Sequence, residues 1–302
     1  MTGPPPDVRR LAEERAARRA AGDFAAADAL RERIGEAGYG VTDRPDGRYD
    51  LAPLEPSGPA PRVAADAVAS VLHERPTADW TIQWLHEGWT EDLLRGLASF
   101  DRWAGDRVVH RVVVEAVPAP PGTWPADVEV VALADDPGFG AARNAGLVRS
   151  RGRFVVVADA SIEATGDVLG PLGRALTDPT VGVAGPFGLG TDDLREFRQA
   201  SGPEVDAVEG YLMAFRRDVL LRGARFDPKF RFYRAADLDL SFRIRALDLR
   251  ALRVEVPVRR HEHRAWTSTA PDRWAALSKR NFYRFLDRFR GRTDLLVRKG
   301  KP

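Results

Sequence analysis

The chain has 302 residues, 44% hydrophobic and 30% charged, enough for one large core with residues left over. It holds no cysteine, which excludes disulfides, thiol nucleophiles and cysteine-based zinc sites. The formal net charge of +2 gives no strong steering toward polyanions, and the arginine-dominated positive charge reads as codon bias rather than a nucleic-acid footprint.

From the N-terminus, Met1 to Asp7 carry no apolar segment of a secretory signal. Apolar runs such as Val128 to Ala134 and Phe154 to Ala158 fall well short of the ~20 residues that span a bilayer. No transmembrane segment is expected, and the cytoplasm is the expected compartment. Residues 7 to 38 predict two helices. Asp7 is placed to cap the first, and Gly22 breaks it. Asp23 caps the second, along which Phe24, Ala27, Leu30 and Ile34 recur at helical spacing as one apolar face. Gly38 stops it, and a turn is expected at Pro45-Asp46-Gly47. The proline-rich stretch that follows reads as a linker over residues 52–62, between a helical module at 1–51 and a larger domain at 63–302.

In the larger domain short β-branched runs alternate with helical stretches. Strands are expected at Trp80 to Trp84, Val108 to Val114, Val128 to Ala132, Phe154 to Val157, Val181 to Ala184 and Leu252 to Val256. Helices are expected at Thr90 to Phe100, Gly140 to Ser150, Asp167 to Leu176, Arg217 to Arg222, Asp237 to Leu247 and Pro271 to Arg288. This alternation predicts an α/β fold with a mostly parallel sheet and helices on both faces.

Four constellations carry candidate chemistry. Gly138-Phe-Gly-Ala-Ala-Arg143-Asn144-Ala-Gly146 follows a strand and opens a helix, where glycines admit close backbone approach and the helix start favours anions. Asp159-Ala160-Ser161 lies at the end of the next apolar strand, where ligands of open α/β sheets gather. Phe226-Asp227-Pro-Lys-Phe230 leads to Phe232-Tyr-Arg-Ala-Ala-Asp237-Leu-Asp239-Leu-Ser-Phe-Arg243, in which Asp237 is also placed as a helix N-cap and Asp239 with Arg243 as an i,i+4 ion pair. Finally, His261 and His263 follow a strand and are expected to point the same way.

Together these motifs resemble glycosyltransferase family 2, of GT-A (nucleotide-diphospho-sugar transferase, Rossmann-like) fold. The resembling segments are G-x-x-x-A-R-N-x-G, a strand ending in Asp, a G-x-x-x-x-x-R-R turn over Gly210 to Arg217, F-D-x-x-F, and an E-D-x-D-L-x-x-R helix start. The resemblance implies a sugar transfer from a nucleotide-diphospho-sugar donor to an acceptor hydroxyl that the sequence does not name. It places Glu115, Gly138, Arg143, Asn144 and Asp159 at the nucleotide-sugar, and Asp237 as the base that deprotonates the acceptor. It implies a divalent cation, Mg²⁺ or Mn²⁺, at the D-x-D position. Here Ser161 stands where the second Asp is expected, so Asp159 would be joined by Glu163 and His263. Ala236 replaces the acid that usually precedes Asp237, and Thr81 to Gly88 depart from the family's first strand end. The competing reading is a GT-A-like protein that binds a nucleotide, sugar or RNA without catalysis.

Two terminal segments carry further expectations. Residues 8–49 resemble the C-terminal helical module of cysteinyl-tRNA synthetases. That implies either tRNA contact through arginines such as Arg15 and Arg18 or, since acidic neighbours interleave with them, a solvated packing module. The basic, aromatic last helix reads either as a peripheral membrane contact or as a helix packed on the core through its aromatic face.

Overall fold

The computed structural model describes residues 4–43, 48–53 and 61–297, and the chain divides into two compact units, Met1–Ala60 and Pro61–Pro302. The expected turn at Pro45-Asp46-Gly47 and most of the expected linker, residues 54–60, lie outside the described residues.

The first unit holds α1 (Pro6–Ala20), α2 (Phe24–Glu36) and an antiparallel pair, β1 (Tyr39–Asp43) and β2 (Tyr49–Pro53). Asp23 caps α2 by accepting from the Ala26 amide at 3.2 Å. Asp7 does not cap α1: Pro5 holds the cap position and Asp7 falls within the first turn, where it still suits the positive helix end. Val8, Ala12, Ile34 and Val41 form the core of this unit, whereas Phe24, expected on the apolar face, is exposed with Arg19 over its ring. Arg15 is buried and makes a two-pronged pair with Asp43, at 2.7 and 2.8 Å, so it is spoken for and does not offer a charge to phosphate.

The second unit is built on an eight-stranded sheet. Its strands, in chain order, are β3 (Ala78–His86), β4 (Val109–Glu115), β5 (Val128–Ala132), β6 (Gly152–Ala158), β8 (Val181–Gly185), β11 (Glu204–Val205), β13 (Leu212–Arg216) and β14 (Arg250–Arg253). The short β7 (Ile162–Ala164) pairs with β15 (Val258–Arg260) beside it, and β9 (Gly188–Gly190), β10 (Arg198–Gln199) and β12 (Ala207–Val208) form a small third sheet. The order across the large sheet is β11-β14-β8-β13-β6-β3-β4-β5. Six strands run parallel. β13 runs antiparallel between β6 and β8, and β11 runs antiparallel on the edge.

Both sheet faces are apolar, as a doubly covered sheet requires. Val155 and Val157 of β6 face one core, while Phe154, Val156 and Ala158 face the other. Helices α3 (Thr90–Arg102) and α5 (Leu169–Leu176) cover the second of these faces. The short α6 (Asp218–Leu221), α7 (Ala236–Arg245) and α9 (Pro271–Phe289) cover the first. Segment 212–216, expected as part of a turn, is a central strand. Met213 and Phe215 fill one core while Leu212 and Ala214 fill the other, so the run is buried on both sides and shows no alternation to read. Helix α9 packs on the core: Phe285, Leu286 and Phe289 are buried against Phe242. The Asp239–Arg243 pair forms as expected at 2.5 Å, within a larger network in which Arg288 of α9 reaches both Asp239 and Asp227 at 2.6 Å.

Candidate active site

The parallel strands deliver their carboxyl ends to one rim of the sheet, and β13, running the other way, starts there. Asp159 directly follows β6, and its amide donates to the carbonyl of Tyr211 just before β13, at 2.9 Å. One carboxylate oxygen, Oδ1, accepts from both the amide (2.9 Å) and the hydroxyl (2.5 Å) of Ser161. The other, Oδ2, stands 3.4 Å from Nε2 of His263. Burial alone would push the Asp159 carboxyl up, but His263 and the Ser161 hydrogen bonds hold it below the ordinary aspartate range. His263 is displaced in the opposite sense: burial lowers it, and Asp159 more than reverses that.

His263 sits at the N-cap of α8 (Arg264–Ser268), where its Nδ1 accepts from the Trp266 amide at 3.1 Å. A neutral imidazole that accepts at Nδ1 carries its proton on Nε2, so the nitrogen facing Asp159 is a donor. His261 does not share this direction. β15 ends at Arg260, and His261 Nε2 pairs with Glu163 at 2.6 Å, on the β7–β15 ribbon whose register also sets Arg259 opposite Glu163. Glu163 is thereby drawn to His261 and away from the Asp159 carboxylate.

A divalent cation is the group the resemblance implies here, and the donor set does not fit it. Asp159 gives one carboxylate, already engaged on one oxygen by Ser161. His263 presents a protonated nitrogen, and Glu163 is paired elsewhere. Among the described residues no three His, Asp or Glu side chains converge to hold a metal ion.

Helix α4 (Phe139–Leu147) supplies the other expected ligands. Gly138 precedes it at φ +86°, and a Cβ there would lie 2.7 Å from Cα of Arg231; the glycine admits a neighbouring backbone rather than a ligand. Asn144 is also structural: its side chain donates to the Phe226 carbonyl (2.8 Å) and accepts from the Phe226 amide (3.1 Å), which ties α4 to the F-D-x-x-F segment. Glu115 ends β4 but accepts from Trp124 at 2.6 Å and pairs with Arg62 at 3.3 Å, so both its oxygens are engaged by protein. Arg143 differs from these. It is 2% exposed, donates only long hydrogen bonds of 3.2 to 3.5 Å to the Ala158 carbonyl and to Gln83, and leaves its Nε without a partner. Burial pulls its pKa down, against the opposing charges of Asp159 and Glu87.

Asp237 lies in the first turn of α7, two residues inside the cap rather than at it. Ala235 holds the N-cap in a left-handed conformation, φ 62°. The Asp237 carboxylate instead accepts from the Gly210 amide and the Leu238 amide, both at 2.9 Å. Burial raises its pKa above the ordinary aspartate value against those two hydrogen bonds and Arg234. Glu209, next to Gly210, is raised by burial and by the charge of Asp237. Asp159, Arg143, His263, Glu209 and Asp237 all line one cavity of about 470 Å³, completed by aromatic rings including Tyr211 and Tyr233. Two acids escaped the sequence reading: Glu209, and Glu87 just beyond β3. Glu87 keeps solvent contact at the edge of a small recess behind Asp159. Burial among protein atoms nevertheless pushes its carboxyl up to about 7, with Arg143 opposing and Asp159 adding. Both are single loop acids that belong to no motif pattern themselves, though Glu209 directly precedes the Gly210–Arg217 motif and Glu87 follows the end of β3.

The family model described as Glycosyl transferase family 2 matches residues 113–255. The structure of GalNAc-T7 with UDP, GalNAc and Mn²⁺ is similar at 15% identity and a TM-score of 0.56, covering 70% of this chain and 48% of that one. The chain thus spans about half the length of that relative. The Pyrobaculum calidifontis mannosyltransferase PcManGT, in complex with GDP-Man and Mn²⁺, is similar at 18% identity, a TM-score of 0.48 and 72% of each chain. S. aureus TarS 1–349 with UDP is similar at 14% identity and a TM-score of 0.49, covering 70% of this chain and 66% of that one. No curated protein sequence matches. The second unit is therefore a GT-A fold carrying a glycosyltransferase family 2-like segment. The likeness of residues 8–49 to cysteinyl-tRNA synthetases rests on their sequence pattern alone. No helix among the described residues is long and apolar enough to cross a membrane.

Proposed function

We propose that the second unit transfers a sugar from a nucleotide-diphospho-sugar to an acceptor hydroxyl, with Asp237 as general base. The observation that carries this reading is the convergence of Asp159 and Asp237 on one cavity at the carboxyl rim of a GT-A sheet. In the reaction the acceptor oxygen forms a bond to the anomeric carbon and its proton passes to the Asp237 carboxylate. The bond from that carbon to the phosphate oxygen breaks, and the nucleoside diphosphate leaves. A single displacement of this kind inverts the anomeric configuration.

Two features of this chain support the assignment of roles. A raised carboxyl is a stronger base than an ordinary one, and Asp237 is held by two backbone amides that fix its orientation. Asp159, kept ionised and braced by Ser161 and His263, suits a fixed acceptor for hydroxyls of the donor sugar or ribose. Arg143 sits behind it as a buried cation facing the same space. The test is a thermal-shift and hydrolysis screen against UDP-, GDP-, ADP- and dTDP-sugars. The expected outcome is stabilisation by one nucleotide class and slow release of the nucleoside diphosphate from its sugar conjugate. Stabilisation by none of them, with no release, would overturn the reading.

A further inference from the structure

The disagreement between the cavity's donors and a metal site leads to a second conclusion, which rests on the proposed function. We propose that this chain binds the diphosphate of its donor without a protein-held divalent cation, using the buried Arg143 guanidinium in the cation's place. Three independent features of the cavity converge on this.

The first is the chemistry at Asp159. Ser161 occupies the place of a second carboxylate and spends both its amide and its hydroxyl on Asp159 Oδ1. An oxygen that already accepts two hydrogen bonds has little left for a cation, and a hydroxyl adds no charge to attract one. The second is His263. Its Nδ1 is committed to the α8 cap, so its outward nitrogen bears a proton and cannot ligate. Loss of that proton would require the cap to open.

The third is Arg143 itself. A guanidinium 2% exposed is rarely left without a carboxylate partner, because an isolated buried charge is costly. Among the described residues no carboxylate lies within ion-pair distance, Nε has no acceptor, and the remaining contacts are long. The side chain lines the cavity, with the Phe139 ring against its guanidinium at 5.4 Å. An anion in the cavity supplies what the protein does not. The planar fork of Arg matches a phosphate's oxygens as a pair of donors. Lys279 and Arg195, exposed at the same cavity and without carboxylate partners among the described residues, raise the positive potential at its mouth.

The experiment is isothermal titration of the intact chain with UDP, GDP, ADP and dTDP, each in EDTA and in excess Mn²⁺. The nucleotide that binds is expected to do so in EDTA, and Mn²⁺ is expected to change its affinity by less than about threefold. Arg143→Gln, checked by circular dichroism for a native fold, is expected to weaken binding at least about tenfold in both conditions. Ser161→Asp, which restores the second carboxylate, is expected to acquire a Mn²⁺-dependent rise in melting temperature that the parent chain lacks. Wild-type binding that is tenfold or more tighter with Mn²⁺ would overturn this inference and leave the proposed function standing, and so would a folded Arg143→Gln of unchanged affinity. Binding of no nucleoside diphosphate under either condition would overturn both.

Discussion

Asp159 and Asp237 face the same cavity, yet their surroundings push them apart. Asp159 is met by a hydroxyl, an amide and an imidazole that stabilise its charge, and it stays below the ordinary range. Asp237 is met by two backbone amides and the charge of Arg234, and burial still lifts it above that range. Titratable groups driven apart in one cavity mark a division of labour. The charge-stabilised carboxylate is suited to holding a ligand and is a weak base. The destabilised one is suited to taking a proton. Both proposed assignments draw on what each fold element places beside the acid, not on the residue type.

The comparison can be broken most severely at Asp237. Asp237→Asn keeps the size and an accepting oxygen for one of the two amides, Gly210 or Leu238, which meet different carboxylate oxygens, but removes the basicity. Nucleoside diphosphate release in the presence of acceptor is expected to fall by ~10²–10⁴-fold, with nucleotide affinity by calorimetry unchanged. Asp159→Asn is expected to do the reverse in kind and less in size. The amide oxygen still accepts from Ser161, but the charge facing His263 is lost, and affinity for the nucleotide-sugar is expected to drop by about tenfold.

The pH dependence sharpens the same contrast. A base acts in its ionised form, so transfer is expected to fall as pH falls through the Asp237 pKa, at a higher pH than an ordinary aspartate would give. Glu209→Gln removes a like charge beside Asp237 and is expected to move that acid limb downward by less than about one pH unit, read from the pH–rate profile. If the limb stays in place, the two acids are not coupled.

A paired carboxylate far from the cavity gives the smallest of these effects and a calibration of the Asp159 side. Burial would raise Glu129, but hydrogen bonds from His110 and Arg149 carry it down to about 2. A depressed carboxyl stabilises the fold above its unfolded value and loses that contribution as pH falls toward 2. The shift corresponds to roughly 3 kcal/mol. Urea melts of wild type are expected to lose about that much between pH 5 and pH 2 from this group, and Glu129→Gln is expected to be less stable at neutral pH with a flatter acid limb.

Much of this arrangement could be read from the sequence, within physical limits. Val128 to Ala132 is a strand with the expected ends, and Asp159 and Asp237 lie at the rim where their motifs put them. What escaped was whatever depended on partners distant in sequence. The antiparallel β13 was hidden because a strand buried on both faces has no period-two pattern. Asn144 and Gly138 looked like ligand contacts but are consumed by Phe226 and Arg231, some 80 to 90 residues away. Glu163 and His263 looked like one metal site until the β7–β15 register gave Glu163 to His261. Arg15 looked like a phosphate contact until Asp43 closed on it.

The division between the two cavity acids is tested most directly in the ligand-free protein, by a carbon-13 titration of the aspartate carboxyl groups, with Asp159→Asn and Asp237→Asn used to assign the two resonances. The account predicts that Asp237 titrates above the ordinary aspartate value and Asp159 below it. Coincident titrations, or Asp159 titrating above Asp237, would contradict it.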